Sequence, residues 1–167
     1  MRKSVDYQMK PRVLFVCTGN VCRSPMAEGL LRDMSEKVGA KVTVASAGLI
    51  AAEGEPPSRN SAVAMKEGGI DITAQRSEML TPEMVEEFTH IFGLGSGHIE
   101  VIRAHFPEAL EKTFVVREFI AKDGRDMEVP DPIGGDLAEY RETRDLIMEA
   151  MPSILSFVTT GDPHPEG

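Results

Sequence analysis

Short runs of apolar residues along this chain predict β-strands. Val13 to Val16 is a continuous apolar stretch, which is typical of a strand buried on both faces of a sheet. Three further short runs, bounded by glycine or polar residues, have the length and composition of strands. We therefore predict four strands, at residues 13–16, 42–47, 90–94 and 113–116.

Between these runs, the apolar residues recur at helical spacing. In the first such segment Ser24 and Pro25 predict the N-cap and the first helical position. The apolar face that follows consists of Ala27, Leu30, Leu31, Met34 and Val38. Further helices are predicted at residues 58–66, 81–88, 98–106 and 137–157.

Strands that alternate with helices predict an α/β fold, a parallel sheet with helices on both faces. A length of 167 residues suits a single domain. We place this domain at residues 12–158, after an N-terminal extension at 1–11 and before a flexible tail at 159–167. In such sheets ligands bind beyond the carboxyl ends of the strands, so the loop after the first strand is the first place to look for chemistry.

The charge balance narrows the choice of partners. The chain has 27 acidic and 18 basic residues and a formal net charge of −9, which argues against nucleic acid or an anionic membrane surface as a partner. No apolar run approaches the roughly 20 residues of a membrane-spanning helix, and the N-terminus has no apolar signal-peptide core. Together with only two cysteines, this indicates a reducing, cytoplasmic location.

The candidate chemistry lies directly after the first predicted strand, where Cys17 is followed six residues later by Arg23. The backbone N–H groups of such a loop can converge on an anion, and the positive end of the next helix adds to the same point. Arg23 offers a planar fork of donors to two phosphate oxygens, and Gly19 allows close approach of the backbone. The residues expected to bind phosphate are Thr18, Gly19, Asn20, Val21, Cys22 and Ser24.

The same positive field favours the thiolate form of Cys17, to which Ser24 is expected to donate a hydrogen bond. A nucleophile and a phosphate cradle in one loop predict in-line attack on phosphorus and a covalent cysteinyl-phosphate. The alternative is that Cys17 is a small buried residue at a strand end and Arg23 a surface charge. The strand before these residues and the helix start after them favour the catalytic interpretation.

Residues 16–28, with the sequence VCTGNVCRSPMAE, resemble the signature of the low-molecular-weight protein tyrosine phosphatase family. The resemblance runs from about residue 12 to about residue 157. It implies a flavodoxin-like, four-stranded parallel sheet, a phosphorylated protein as substrate, and no metal or other cofactor. The segments that extend it are Ser46-Ala47-Gly48, Gly69-Ile70, residues 131–135, Tyr140 and Thr143-Arg144-Asp145.

The resemblance also implies roles for residues outside the loop. Asp131, in an Asp-Pro pair, would protonate the leaving group and then activate water, as a general acid and base. Asn20 and Ser46 would hold the phosphate loop in shape by hydrogen bonds. The family usually has a histidine where this chain has Gln75, a departure because an amide can donate and accept hydrogen bonds but cannot become charged.

Two substrate classes are compatible with the family. Val21 stands where the phosphotyrosine-directed branches have an apolar residue and the phosphoarginine-directed branch typically has threonine. A guanidinium desolvated against Val21 would leave donors unpaired, so Val21 favours phosphotyrosine. In contrast, Gly134, Gly135 and the Thr143-Arg144-Asp145 segment are closer to the phosphoarginine branch. A protein-arginine phosphatase is therefore the alternative.

Other functions fit the pattern less well. Arsenate reduction on this fold uses two further cysteines, and the chain has none after Cys22. A thiol redox sensor based on Cys17 and Cys22 is compatible with a phosphatase, and only a lack of turnover would favour it alone. A phosphate-binding module without chemistry would not require Cys17, Arg23 and Asp131 together. The four histidines form no metal-ligand pattern with other residues. Oligomeric state, substrate protein and partner kinase are left open by the sequence.

Overall fold

The computed structural model describes residues 10–165, so parts of the expected extension at 1–11 and tail at 159–167 lie outside the described residues. Within this range the chain forms one parallel sheet with the strand order β2-β1-β3-β4. The predicted four-stranded parallel sheet is thus confirmed. The strands are β1 (Arg12–Cys17), β2 (Thr43–Gly48), β3 (His90–Gly93) and β4 (Thr113–Val115).

Helices cover both faces of this sheet, as the alternation of elements predicts. One layer contains α1, α2 and α5, and the other contains α3 and α4. A short 3₁₀ segment, Pro107–Lys112, precedes β4 and was not anticipated from the sequence. The helices are α1 (Arg23–Lys37), α2 (Arg59–Glu67), α3 (Pro82–Glu87), α4 (Ser96–His105) and α5 (Leu137–Thr160).

Strand β1 runs through the middle of the core, because it pairs with β2 on one side and β3 on the other. Val13 and Phe15 pack with α1, α2 and α5, whereas Leu14 and Val16 pack with α3 and α4. All four side chains are fully buried. A register slip of one residue would move each of them to the opposite face, so the end of β1 is held at a defined position.

Helix α4 begins at Ser96, two residues before the prediction, and two other differences in the helix boundaries concern the site and the tail. Helix α1 begins at Arg23 with Cys22 at the N-cap, so Ser24 lies in the first turn. The Ser24 hydroxyl is bonded to Asn20 instead of capping the helix. Helix α5 continues through Pro152 to Thr160 and ends at Gly161 in the left-handed conformation, so the predicted start of the tail at residue 159 falls inside this helix.

Candidate active site

Residues 17–23 form a tight loop, here called the phosphate loop, between β1 and α1. Cys17 is the last residue of β1 and is 3% exposed. Its Sγ lies 3.0 Å from Ser24 Oγ. Because Ser24 Oγ already accepts a hydrogen bond from Asn20 Nδ2 (2.8 Å), its own proton is available for the sulfur. The structure therefore brings together the predicted nucleophile and its predicted donor.

Asn20 shapes the turn of the phosphate loop. Its φ is 56°, the left-handed region that few residues other than glycine adopt. Nδ2 donates to Ser46 Oγ (2.9 Å) as well as to Ser24, and Oδ1 accepts from the backbone N–H of Glu78 (2.9 Å). These bonds stabilise the unusual backbone conformation and join the phosphate loop to β2.

The end of β2 packs directly under the phosphate loop. A Cβ at Gly48 would lie 2.8 Å from the carbonyl oxygen of Thr18, so only glycine fits there. The backbone N–H groups of the next two residues, Leu49 and Ile50, donate to the carbonyls of Cys17 (3.0 Å) and Thr18 (2.9 Å). This close approach explains the glycine of the Ser46-Ala47-Gly48 segment.

Arg23 connects the phosphate loop to a second loop. It is 8% exposed, and its Nη1 donates to the carbonyl of Val129 (3.0 Å). Its Nη2 lies 3.6 Å from Asp131 Oδ2. Among the described residues, Arg23 Nε is buried and has no hydrogen-bond partner. One edge of the guanidinium is thus anchored, while other donors remain available for a phosphate.

Asp131 lies in the segment 126–136, here called the acid loop. Its side chain is 43% exposed, and Oδ1 accepts from the backbone N–H of Ile133 (3.1 Å). The two neighbouring aspartates are otherwise engaged. Arg117, 2.8 Å from Asp126, holds the pKa of that carboxyl below its usual value by hydrogen bonding, and Asp136 caps α5. Asp131 is the carboxylate of the acid loop that faces Arg23.

His98 also reaches the phosphate loop, which sequence reasoning missed. Its Nδ1 accepts from the Gly95 N–H (3.1 Å), and its Nε2 lies 3.2 Å from Thr18 Oγ1. Burial, and then the charge of Arg23, lower the pKa of His98. The neutral ring therefore carries its proton on Nε2 and donates it to Thr18. The sequence signal that could have identified His98 is its place in the first turn of the helix after β3, at the carboxyl edge of the sheet.

Glu128 anchors the acid loop to the start of α4. Its Oε1 accepts from the backbone N–H (3.0 Å) and hydroxyl (2.5 Å) of Ser96. The carboxylate occupies the space that a side chain at Gly95 would fill. Next to it, the Val129 N–H donates to the carbonyl of Leu94 (3.1 Å). The acid loop is thus fixed to the end of β3 three residues or fewer before Asp131.

Cys22 lies behind the phosphate loop. Its Sγ is 3.5 Å from Tyr140 Oη and 3.6 Å from Ser58 Oγ. Burial, followed by the hydrogen bond to Cys22, raises the pKa of Tyr140. Both cysteines are unbridged thiols. The neighbouring Val21 is partly buried, and its carbonyl accepts from the Ser58 N–H (2.8 Å).

Gln75 does not take part in bracing the phosphate loop. Its amide nitrogen and oxygen are buried and have no hydrogen-bond partner within residues 10–165. Ser46 instead donates to the carboxylate of Glu28 (2.8 Å), a residue of α1 that sequence reasoning did not single out. The hydrogen bonds that brace the phosphate loop are therefore present without any contribution from Gln75.

Comparison with known proteins places the whole site in one family. The model of the low molecular weight phosphotyrosine protein phosphatases matches residues 12–161. The chain belongs to this family. Its enzymes are hydrolases that act on phosphorylated proteins through a cysteinyl-phosphate, so the predicted reaction type is confirmed.

Individual members of the family carry different names. The chain is 44% identical to a protein-arginine-phosphatase of Geobacillus stearothermophilus over 137 residues, which are 82% of this chain and 88% of that protein. The low molecular weight protein tyrosine phosphatase of T. tengcongensis superposes with a TM-score of 0.82 at 34% identity, covering 88% of this chain and 99% of that one.

A third relative bears on the nucleophile. It is a cysteine-to-serine variant of the YwlE arginine phosphatase with a phosphorylated active-site serine. It superposes with a TM-score of 0.78 at 32% identity, covering 84% of this chain and 90% of that one.

Two further features of the described chain concern ions and membranes. Residues 10–165 contain no cluster of three or more histidine, cysteine, aspartate or glutamate side chains arranged to hold a metal ion. No helix in the same range is long and apolar enough to cross a bilayer.

Proposed function

We propose that this family member hydrolyses phosphotyrosine in proteins, with Cys17 as nucleophile, Arg23 as phosphate clamp and Asp131 as general acid and base. The observation that carries the catalytic assignment is a pair of contacts made by the two ends of the phosphate loop. Ser24 lies 3.0 Å from Cys17, and the Arg23 guanidinium lies 3.6 Å from Asp131. This arrangement supports a nucleophile, an anion clamp and a proton donor in one site.

In the first step the Cys17 thiolate attacks phosphorus. The S–P bond forms while the bond from phosphorus to the tyrosine oxygen breaks, and Asp131 donates its proton to that oxygen. Arg23 and the backbone N–H groups of residues 18–23 hold the non-bridging oxygens as charge develops on them. The remaining residues of the proposed binding set are Thr18, Gly19, Asn20, Val21, Cys22 and Ser24, with Ser46 in support.

In the second step water attacks the cysteinyl-phosphate. Asp131, now a carboxylate, accepts a proton from this water, the S–P bond breaks, and inorganic phosphate and the Cys17 thiolate are released. The partial exposure of Asp131 suits this role, because water must reach it between the steps. A cytoplasmic location is part of the proposal, since Cys17 must stay reduced to act.

The proposed preference for phosphotyrosine depends on the apolar residues near the site. Val21 lies in the phosphate loop and has no hydroxyl for a guanidinium. Two exposed isoleucines are tied to the site by their backbone, Ile50 to the Thr18 carbonyl and Ile133 to the Asp131 carboxylate. Such side chains provide apolar contact to an aryl ring and leave guanidinium donors unpaired.

Phosphoarginine is the second candidate substrate. It is favoured by the 44% identity to a protein-arginine-phosphatase, and by Gly134, Gly135 and the Thr143-Arg144-Asp145 segment. Among the described residues the acid loop has no aromatic side chain that could stack on a substrate ring.

The deciding experiment compares kcat/KM on matched phosphotyrosine and phosphoarginine peptides. We expect the parent enzyme to prefer phosphotyrosine and Val21→Thr to move the ratio by roughly tenfold toward phosphoarginine, because the hydroxyl pairs a guanidinium donor. Val21→Ile is the matched control and should keep the parental preference. A parent that prefers phosphoarginine, or a ratio unmoved by Val21→Thr, contradicts the assignment to phosphotyrosine.

A further inference from the structure

Glu28 is a buried carboxylate on the inner face of α1. It is 8% exposed, and both of its oxygens are engaged. Oε1 accepts from Ser46 Oγ (2.8 Å), and Oε2 accepts from Arg32 Nη2 (2.7 Å). A buried carboxylate is stable as an anion only where it is paired and hydrogen-bonded. Arg32 supplies the positive charge.

Glu28 holds the far end of the hydrogen bonds that lead to Cys17. A carboxylate can only accept, so Ser46 donates to it and in turn accepts from Asn20 Nδ2 (2.9 Å). Asn20 Nδ2 also donates to Ser24 Oγ (2.8 Å), so the Ser24 proton points to Cys17 Sγ, 3.0 Å away. Because the Asn20 amide nitrogen can only donate, Ser24 accepts from it and keeps its own proton for the sulfur, so the series ends in a donor that favours a thiolate.

Arg32 holds the outer end of this series. Besides pairing with Glu28, its Nη2 donates to the carbonyl of Val44 in β2 (2.8 Å). Arg32 and Gln75 line the same cavity of about 200 Å³ on the outer side of α1, yet the Gln75 amide has no partner among the described residues. The positively charged side chain beside this cavity is thus Arg32 on α1, and not the residue at position 75.

We propose that Arg32 is a positioning residue for catalysis: it holds the Glu28 carboxylate against Ser46 and thereby fixes Ser46, Asn20 and Ser24 in the places from which a proton is directed at Cys17. The inference rests on the proposed role of Cys17 as nucleophile. Other charges also face the two ends of the series. These are Arg23 and Asp131 near the sulfur, and Asp33, Glu36 and Asp71 around the cavity beside Arg32.

The test measures alkylation of Cys17 by iodoacetamide against pH, with the modified cysteine identified by peptide mass spectrometry. In Arg32→Met we expect the pH of half-maximal alkylation to rise by roughly half a unit to one unit, a threefold to tenfold loss of thiolate at fixed pH below the midpoint. kcat should fall by a similar factor with KM nearly unchanged. Arg32→Lys, which keeps the charge and one donor, should recover part of the loss.

The matched control is Lys37→Met, which removes another basic residue of α1 paired with an acid four residues before it, Asp33 (2.8 Å). Neither side chain of this pair is hydrogen-bonded to Glu28, Ser46, Asn20 or Ser24, so the profile should move little. An Arg32→Met profile that matches Lys37→Met would overturn the proposal while leaving Cys17 as nucleophile. Alkylation that spares Cys17 in the parent enzyme would instead contradict the proposed function.

A double-mutant cycle tests whether Arg32 acts through Glu28. Glu28→Gln removes the charge and retains the shape of the side chain, and should shift the alkylation profile at least as far as Arg32→Met. In the Glu28→Gln background, Arg32→Met should add less than about a factor of two, because the pair has already been broken. Fully additive effects would show that Arg32 acts by another route.

Discussion

The two loops that form the proposed active site are held in different ways. In the phosphate loop Cys17 and Asn20 are almost fully buried, and side-chain hydrogen bonds connect them to α1 and β2. In the acid loop the Asp131 side chain is 43% exposed, and its one hydrogen bond comes from a backbone N–H two residues later. The acid loop is fixed at one end by Asp126 on Arg117 and Glu128 on α4, and at the other by Asp136, which caps α5.

This difference follows from what each loop must do. A nucleophile that attacks in line has to keep one position, so redundant bonds are useful there. A general acid has to give a proton to the leaving group and later take one from water, so it needs access to solvent. Changes in the phosphate loop should therefore affect all substrates alike, whereas changes in the acid loop should depend on the leaving group.

The largest effect is expected for Cys17→Ser. Turnover should fall by at least about 10⁴-fold, because a serine hydroxyl is a weak nucleophile and a poor leaving group from phosphorus. Any phosphoserine that does form should persist, because serine is a poor leaving group, and intact-protein mass spectrometry would detect it. Hydrolysis at near the parental rate would remove Cys17 from its role.

Asp131→Asn should have a smaller effect that depends on the substrate. For poor leaving groups we expect a roughly 10²–10⁴-fold loss of kcat, the usual range for general acid catalysis. The loss should shrink as the leaving group becomes more acidic, measured with a series of substituted aryl phosphates. A loss of equal size across the series would indicate that another group supplies the proton.

His98 lies between the two loops and should make stability depend on pH. Since its pKa in the folded protein is lowered by burial and by Arg23, the unfolded chain takes up a proton first as the pH falls. The contribution of His98 to the free energy of unfolding is then fully present above pH ~6.5. It declines below that pH, by at most about 1.4 kcal/mol for each unit by which the pKa of His98 is lowered. His98→Gln, which keeps a donor for Thr18, should decline less between pH 7.5 and 5 in urea titrations. Parallel curves would contradict this reading.

Gln75→Leu is expected to have the smallest effect. Its amide bonds to none of the residues that brace the phosphate loop, so kcat/KM should remain within about twofold of the parental value. Removing a buried amide that has no partner among the described residues should leave the free energy of unfolding equal or raise it by about 1 kcal/mol. A tenfold loss of kcat/KM would place Gln75 in the bracing network after all.

The phosphate loop and the acid loop also differ in how much of each could be predicted from the sequence. Cys17, Arg23 and Ser24 are close in sequence and lie between a buried strand and a helix start, so local pattern was enough to find them. Asp131 is far from them along the chain and sits in an ordinary Asp-Pro turn, so only the resemblance to a family identified it. Glu28, Arg32 and His98 lie on helices in positions that a surface charge or a core residue could equally occupy, and their contacts are set by tertiary packing.

The bond from Arg23 to the Val129 carbonyl has a thermodynamic consequence. One guanidinium contacts the acid loop and, in the proposed function, also binds phosphate, so the acid loop and phosphate binding are linked. An anion that binds Arg23 should favour the observed position of the acid loop, and that position should in turn favour anion binding by the same factor. Inorganic phosphate, the product of the proposed reaction, should therefore favour the same position of the acid loop as the substrate does.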